Sequence, residues 1–268
     1  MDKDYYIEYY TLEREHWWFV VRGKIIMQRL AKELPTNRPL KILNVGVATG
    51  HTTELLSQFG EVTSLEYDKE CRDFTMERMG IDIVHGSILE LPFEDNQFDL
   101  VCAFDVIEHI EDDQLGVNEM KRVCKSGGHV CVTVPAFMSI WSHHDVVNHH
   151  FRRYLKKEVV NLFEEPGGKI RYKNYFNSLL FTPIWAFRKL SRLKPRKDTE
   201  ENAGSDFSVT SIHSLPNKIA GLIFNIERAM LNMGIKFPVG VSVMLLWQTP
   251  TVTTSTKTAD KSTSEATA

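Results

Sequence analysis

The sequence predicts an α/β domain with a doubly wound, mostly parallel sheet of seven strands. Helices precede the sheet, and a helical insertion stands before its last strand. Three observations carry this. Strand-like and helix-like segments alternate from Lys41 onward. The stretches LVCAF and VCVTV are apolar without a break, as strands covered on both faces are. Finally, ILNVGVATGHTTE runs an apolar strand through a glycine turn into a helix.

In chain order, residues 4–34 are aromatic with a helical period that ends at Leu34-Pro35. Strands are then expected at 41–45, 62–66, 81–85, 98–104 and 129–134, where apolar residues run together between turn residues. Helices are expected at 52–59, 69–79, 113–123 and 156–164. Residues 169–175 and 241–247 read as two further strands, with 176–238 inserted between them. The insertion holds a basic amphipathic stretch, SLLFTPIWAFRKLSRLK at 178–194, and a second helix at 216–233 opened by Pro216. PRKDTEENAGSDFS between them reads as a loop. One domain spans 1–248, with 1–35 as an N-terminal helical lid. The Thr/Ser-rich tail 249–268 has too little apolar surface to order itself.

With 268 residues and 43% hydrophobic content, the chain can bury a sizeable core. A net charge of -3 gives no sign of a nucleic-acid partner. Cys71, Cys102, Cys124 and Cys131 never fall in a CxxC pair, so small core residues in a reduced, cytoplasmic setting are expected. The longest apolar runs reach about half of a ~20-residue membrane span. The 178–194 stretch still leaves peripheral contact with an anionic membrane open. Oligomeric state is not legible.

The glycine turn frames the question of ligand. Gly46 and Gly50 are spaced GxxxG, which does not match the dinucleotide fingerprint, and no Lys-Ser or Lys-Thr pair follows to make a phosphate loop. An adenosine-containing ligand without a pyrophosphate fits better. VTSLEYD supports it, because Glu66 at a strand end can accept both ribose hydroxyls and Tyr67 offers a face for adenine.

The ordered motifs ILNVGVATG, SLEYD, HGSILELPFEDNQFDLVCAFDVIEHIEDD and EMKRVCKSGGHVCVTVPA resemble the class I S-adenosylmethionine-dependent methyltransferases of small-molecule type over about residues 36–135. A narrower resemblance, to bacterial methyltransferases of unassigned substrate, rests on EREHWWFVVRGK, WSHHDVVNHHFRRY and YFNSLLF. These resemblances imply a Rossmann-like fold and S-adenosyl-L-methionine as cofactor. They give Gly46 and Gly50 to its methionine and ribose side, with Asn44 at the end of the strand before them. Glu66 falls to the ribose, Tyr67 to the adenine face and Ser87 and Ile88 to the adenine edge. Phe104 and Asp105 line the floor. Asn44 stands where the family usually has an acid, Ala48 where glycine is frequent, Ser87 where aspartate is frequent and His149 where glycine is usual.

Acceptor chemistry is expected from three segments. Trp17 and Trp18 can close over the cofactor as substrate-binding rings, or simply pack the N-terminal helices on the sheet. Asp105, Glu108 and His109 fall on one face of a helical turn. Some methyltransferases carry a related ExxEH cluster that holds a divalent cation. The metal-free reading is preferred here, with His109 as a base. The rim loop 141–154 offers His144 and His150 as bases and Trp141, Arg152 and Tyr154 as acceptor contacts, the arginine as an anion clamp. The expected activity is methyl transfer to a small-molecule or lipid-linked, glycan-type acceptor. Two rivals are a non-catalytic scaffold that kept the fold and, opposed by the glycine spacing, a nicotinamide-dependent oxidoreductase.

Overall fold

The computed structural model describes residues 3–191 and 212–251. The seven strands are β1 (Leu40–Val45), β2 (Gly60–Glu66), β3 (Ile83–His85), β4 (Phe98–Phe104), β5 (Cys124–Pro135), β6 (Lys169–Phe176) and β7 (Ser242–Gln248). They lie in one sheet, ordered β3-β2-β1-β4-β5-β7-β6. The first five pair in parallel, and β7 runs antiparallel between β5 and β6. The order reverses between β1 and β4, so a crevice opens at the carboxyl ends of those two strands, where ligands of doubly wound sheets bind.

The apolar strands divide their side chains between two cores. Leu43, Val45, Val101, Ala103, Val130, Val132, Val243 and Leu245 face one side. That side is covered by α5 (Asp113–Val123) and α7 (Lys156–Leu162) through Val117, Met120, Val159 and Phe163. Ile42, Leu100, Cys102, Cys131, Met244 and Leu246 face the other. There they meet α2 (Trp17–Glu33) and α9 (Leu215–Asn232), which supply Ile25, Ile26, Leu30 and Phe224. Each fully buried residue of this size contributes about 2 kcal/mol of transfer free energy. α2 and α9 approach closely at Gly221, where a Cβ would lie 3.0 Å from that of Trp17.

The expected bounds of 69–79 and 113–123 match α4 (Lys69–Met79) and α5. Both start at an aspartate whose side chain accepts a backbone N–H, Asp68 from Cys71 and Asp112 from Leu115. The expected 52–59 helix is instead α3 (His51–Leu56) followed by a single 3-10 turn, Ser57–Phe59. The N-terminal stretch breaks at His16 into α1 (Lys3–Glu15) and α2, because the His16 ring caps α2 by accepting from Trp18 N. The rim loop contains a short helix that the sequence did not announce, α6 (His143–Val147), and the first insertion helix is α8 (Phe181–Ser191).

Residues 192–211 and 252–268, including most of the expected loop and tail, lie outside the described residues. Order runs past the expected boundary at 248. Thr249 is buried and its N–H donates to Gly128 O, while its hydroxyl donates to Lys125 O. The four cysteines are buried and unpaired, as core residues. Burial pushes the thiols of Cys71, Cys102 and Cys131 well above the ordinary value and that of Cys124 to about 12. Among the described residues, no helix is long and apolar enough to cross a membrane.

Candidate functional site

The glycine turn follows β1 directly and is held to the end of β2. Gly46 N donates to Leu65 O at 2.8 Å, and Ala48 N donates to Glu66 Oε2 at 2.9 Å. Glu66 Oε1 also accepts from the N–H groups of Tyr67 and Asp68, each at 3.0 Å. The turn and the carboxylate therefore face each other, as the ligand reading requires. Three of roughly four lone-pair positions on Glu66 are already used, so it has room for one hydroxyl rather than the two expected. Burial raises its pKa, and the three N–H groups oppose that.

Gly46 has φ +68, and a Cβ there would sit 2.6 Å from Val106 Cγ2. At Gly50 (φ +86) an added Cβ would lie 2.1 Å from the sulfur of Met79 in α4. Ala48 adopts φ 47, which costs an L-residue about 1 kcal/mol. Ala48→Gly is therefore expected to raise the melting temperature by about 2 °C in a thermal unfolding scan.

The Asn44 amide donates to Thr52 Oγ1 at 2.9 Å and Thr53 Oγ1 at 3.0 Å in the first turn of α3. Its buried Oδ1 has no partner. That acceptor suits the ammonium of an amino-acid donor.

α1 covers the turn. Glu13, buried, accepts from the Thr49 hydroxyl and from the backbone of His51. Arg14 donates to Thr49 O at 3.3 Å and pairs with Glu54 at 2.9 Å, and Tyr6 donates to Asp68 Oδ1 at 3.4 Å. Sequence reasoning passed over Glu13, although it lies in the EREHWW motif. Burial lifts its pKa from 4.5 to about 7, against the Thr49 bond and Arg14. A carboxyl with a raised folded-state pKa favours folding below its unfolded value and loses that contribution as pH rises through the folded one. Stability is thus expected to fall between about pH 4.5 and 7. Glu13→Gln should flatten that limb in melting temperatures measured across the range.

β4 delivers the second half of the crevice. Asp105 (φ 57) pairs with Arg22 Nη2 at 2.6 Å and accepts from Thr133 Oγ1 at 3.2 Å. Arg22 is buried among Trp18 and Phe104, with its own Nε unpartnered. Arg22 was another residue the sequence did not single out. The turn Ile107–His109 follows, and both carboxylate oxygens of fully buried Glu108 lack a partner. Burial, then the charge of Asp105, raises the Glu108 pKa well above the usual range. Burial and His150 lower that of His109 to about 4, so its imidazole is neutral at pH 7. Asp105 does not join Glu108 and His109 in one ligand set. The third member is His150, whose ring lies 4.5 Å from that of His109 and perpendicular to it.

The rim loop is pinned rather than loose. Asp145, fully buried, accepts from His150 Nδ1 at 2.9 Å, from Arg153 at 2.8 and 3.0 Å and from Ser142 N at 2.7 Å. The His144 ring lies 6.0 Å from that of His150 and is bonded by Asn148 Nδ2. His149 holds φ 55, which explains why glycine suits that position.

The structure corrects the expected roles of Arg152, Tyr154 and Trp17. Arg152 is no open anion clamp, because it pairs with Asp113 at 2.8 Å and donates to Glu111 O. Tyr154 is a buried core residue whose hydroxyl donates to Asp113 Oδ2 at 2.8 Å. The Trp17 ring is taken up by α9, donating to Asn217 Oδ1 at 3.0 Å and packing on Phe224. Ile88 is a core residue beside Gly116. The Ser87 hydroxyl accepts from Leu89 N within its own turn. Tyr67 is 73% exposed beside Glu66, and Trp141 is half-buried at the start of the rim loop. Trp18 and Phe104 remain at the crevice through Arg22.

Residues 43–132 match a family model described as a methyltransferase domain. The chain is 32% identical over 133 residues to a demethylmenaquinone methyltransferase of Staphylococcus aureus, covering 44% of this chain and 55% of the relative. It thus spans about half the length of the curated relatives it matches. A solved S-adenosylmethionine-dependent methyltransferase from Thermotoga maritima has TM-score 0.52 and 17% identity, covering 91% of this chain and 98% of that one. The cyclase SpnF has TM-score 0.57 and 15% identity, covering 87% and 83%. At these identities the two structures share the fold alone.

Proposed function

We propose that this chain, which belongs through residues 43–132 to the class I S-adenosylmethionine-dependent methyltransferases, moves the donor's methyl group to a small-molecule or lipid-linked acceptor. One observation supports this above the rest: the Gly46 turn and the Glu66 carboxylate meet at 2.9 Å through Ala48, at the reversal point of the sheet. The residues fit the donor. Asn44 Oδ1 offers an unpaired acceptor for its ammonium, Glu66 one position for a ribose hydroxyl and Tyr67 an exposed ring for adenine. When bound, the donor supplies an electrophilic methyl on a sulfonium.

The protein's part in a direct displacement is alignment and exclusion of water. α1 covers the donor turn from one side. Asp105, fixed by Arg22 and Thr133, sets the floor, and the His109, His144 and His150 group borders the acceptor side. A lipid-linked acceptor is favoured by the exposed apolar stripe of α9, Leu215, Ile219, Leu222 and Ile226, and by exposed Phe187 and Leu190 of α8. The name of the Staphylococcus aureus relative agrees with that class.

The alternative is a binding module that holds the donor without turnover, and the cyclase neighbour is a reminder that this fold serves other chemistry. Mass spectrometry of cell extract incubated with the protein and a deuterated methyl donor separates them. Labelled product supports the transferase, and donor binding without any labelled product favours the binding module.

A further inference from the structure

The geometry points to a mononuclear metal site built from Glu108, His109 and His150, which takes a first-row divalent cation such as zinc or manganese. One ligand atom from each residue lies within 4.8 Å of the others. Ligand atoms on a common ion at ~2.1 Å are roughly 3.4 Å apart, so a side-chain adjustment of about 1 Å closes the set. Glu108 gives the independent reason. It is fully buried and neither carboxylate oxygen has a partner, a state that a buried carboxylate leaves by meeting a cation or by staying protonated.

The two imidazoles are prepared as ligands. His150 donates through Nδ1 to Asp145, which two N–H groups of Arg153 clamp in turn, so Nε2 carries the free lone pair. The His109 ring is bonded to the Asn148 backbone, which leaves its other nitrogen free. A carboxylate or carbonyl behind each coordinating histidine is the usual outer layer of a metal site. Two imidazoles with one carboxylate make a mixed nitrogen–oxygen set that suits zinc best and manganese through its carboxylate, whereas calcium and magnesium take all-oxygen sites.

Three protein ligands leave a coordination position open beside the donor crevice, because Glu108 and His109 lie only three and four residues after Asp105 in the chain. An acceptor oxygen in that position would lose its proton to water more readily. Its lone pair would form the bond to the methyl carbon as the carbon–sulfur pair leaves with sulfur. This role rests on the methyl-transfer reading, whereas the metal site itself does not. His109 and His150 thereby change from the bases expected of the sequence to ligands.

The test uses the full chain without a histidine tag, stripped with chelator and titrated with zinc and with manganese in equilibrium dialysis. One equivalent is expected to bind. Glu108→Gln and His109→Gln should each weaken binding by ~100-fold, and Asp145→Asn by ~10-fold through the freed His150 ring. His143→Gln, on an exposed histidine outside the set, should leave it unchanged. Part of His109 remains at the surface, so its variant serves even if Glu108→Gln fails to fold. Wild type that takes up neither metal overturns the site and leaves Glu108 a protonated carboxyl. Uptake that is equal in wild type, Glu108→Gln and His109→Gln overturns it as well. Because dialysis contains no methyl donor, failure here and failure of the transferase reading are distinguishable.

Discussion

Gly46→Arg is expected to lower affinity for the methyl donor by ~100-fold or more, about 2.7 kcal/mol, while the α2–α9 face stays folded. Two costs act together. An L-residue at φ +68 pays about 1–2 kcal/mol for the left-handed backbone. Its Cβ would also stand 2.6 Å from Val106 Cγ2, and relieving such overlap costs about 1–3 kcal/mol more. The turn can relax only by moving the N–H of Gly46 away from Leu65 O and that of Ala48 away from Glu66, which dismantles the bend proposed to meet the donor. Calorimetric titration with S-adenosylmethionine reads the affinity, and circular dichroism checks the fold. Unchanged affinity in a folded variant would mean the donor binds elsewhere.

Asp145→Ala is expected to destabilise the protein by about 3–5 kcal/mol in urea unfolding at pH 7. Arg153 is 6% exposed and would keep a buried charge with no counterion, while His150 and Ser142 N lose their acceptor. The same group sets an acid limb. Burial pushes the Asp145 carboxyl up, but the His150 bond and the Arg153 charge outweigh it and hold the group well below its ordinary 3.8. A depressed folded-state pKa gives stability that is present above the unfolded value and lost as pH falls toward the folded one. Wild type should therefore lose stability below about pH 4, and the alanine variant should lose less over that interval. A cost under about 1 kcal/mol would mean that Arg153 finds water or another partner.

What the sequence made legible follows from the range of the forces involved. β4, α4 and α5 have the expected bounds because an unbroken apolar run and aspartate caps at 68 and 112 are local signals. The glycine turn and Glu66 were readable for the same reason, since each marks the end of a strand. Glu13 and Arg22 were not, because their partners Thr49 and Asp105 lie 36 and 83 positions away and no periodicity encodes such pairings. Arg152 and Tyr154 misled by residue type. Donor-rich side chains in a rim loop can hold a ligand or hold the loop, and here Asp113 takes both. His150 was legible as a reactive histidine, but its meeting with Glu108 across 42 positions required the fold.

The sealed thiols make the chain its own reporter of opening. A thiol reagent at neutral pH meets no accessible thiolate in the native state, so every modification event counts an excursion. Cys71 sits in α4 next to the turn that α1 covers, whereas Cys102 and Cys131 pair across the central strands. Labelling of Cys71 alone would register partial breathing at the glycine-turn end, and simultaneous labelling of all four would register global unfolding. Mapping modified peptides over time would distinguish the two without any added probe.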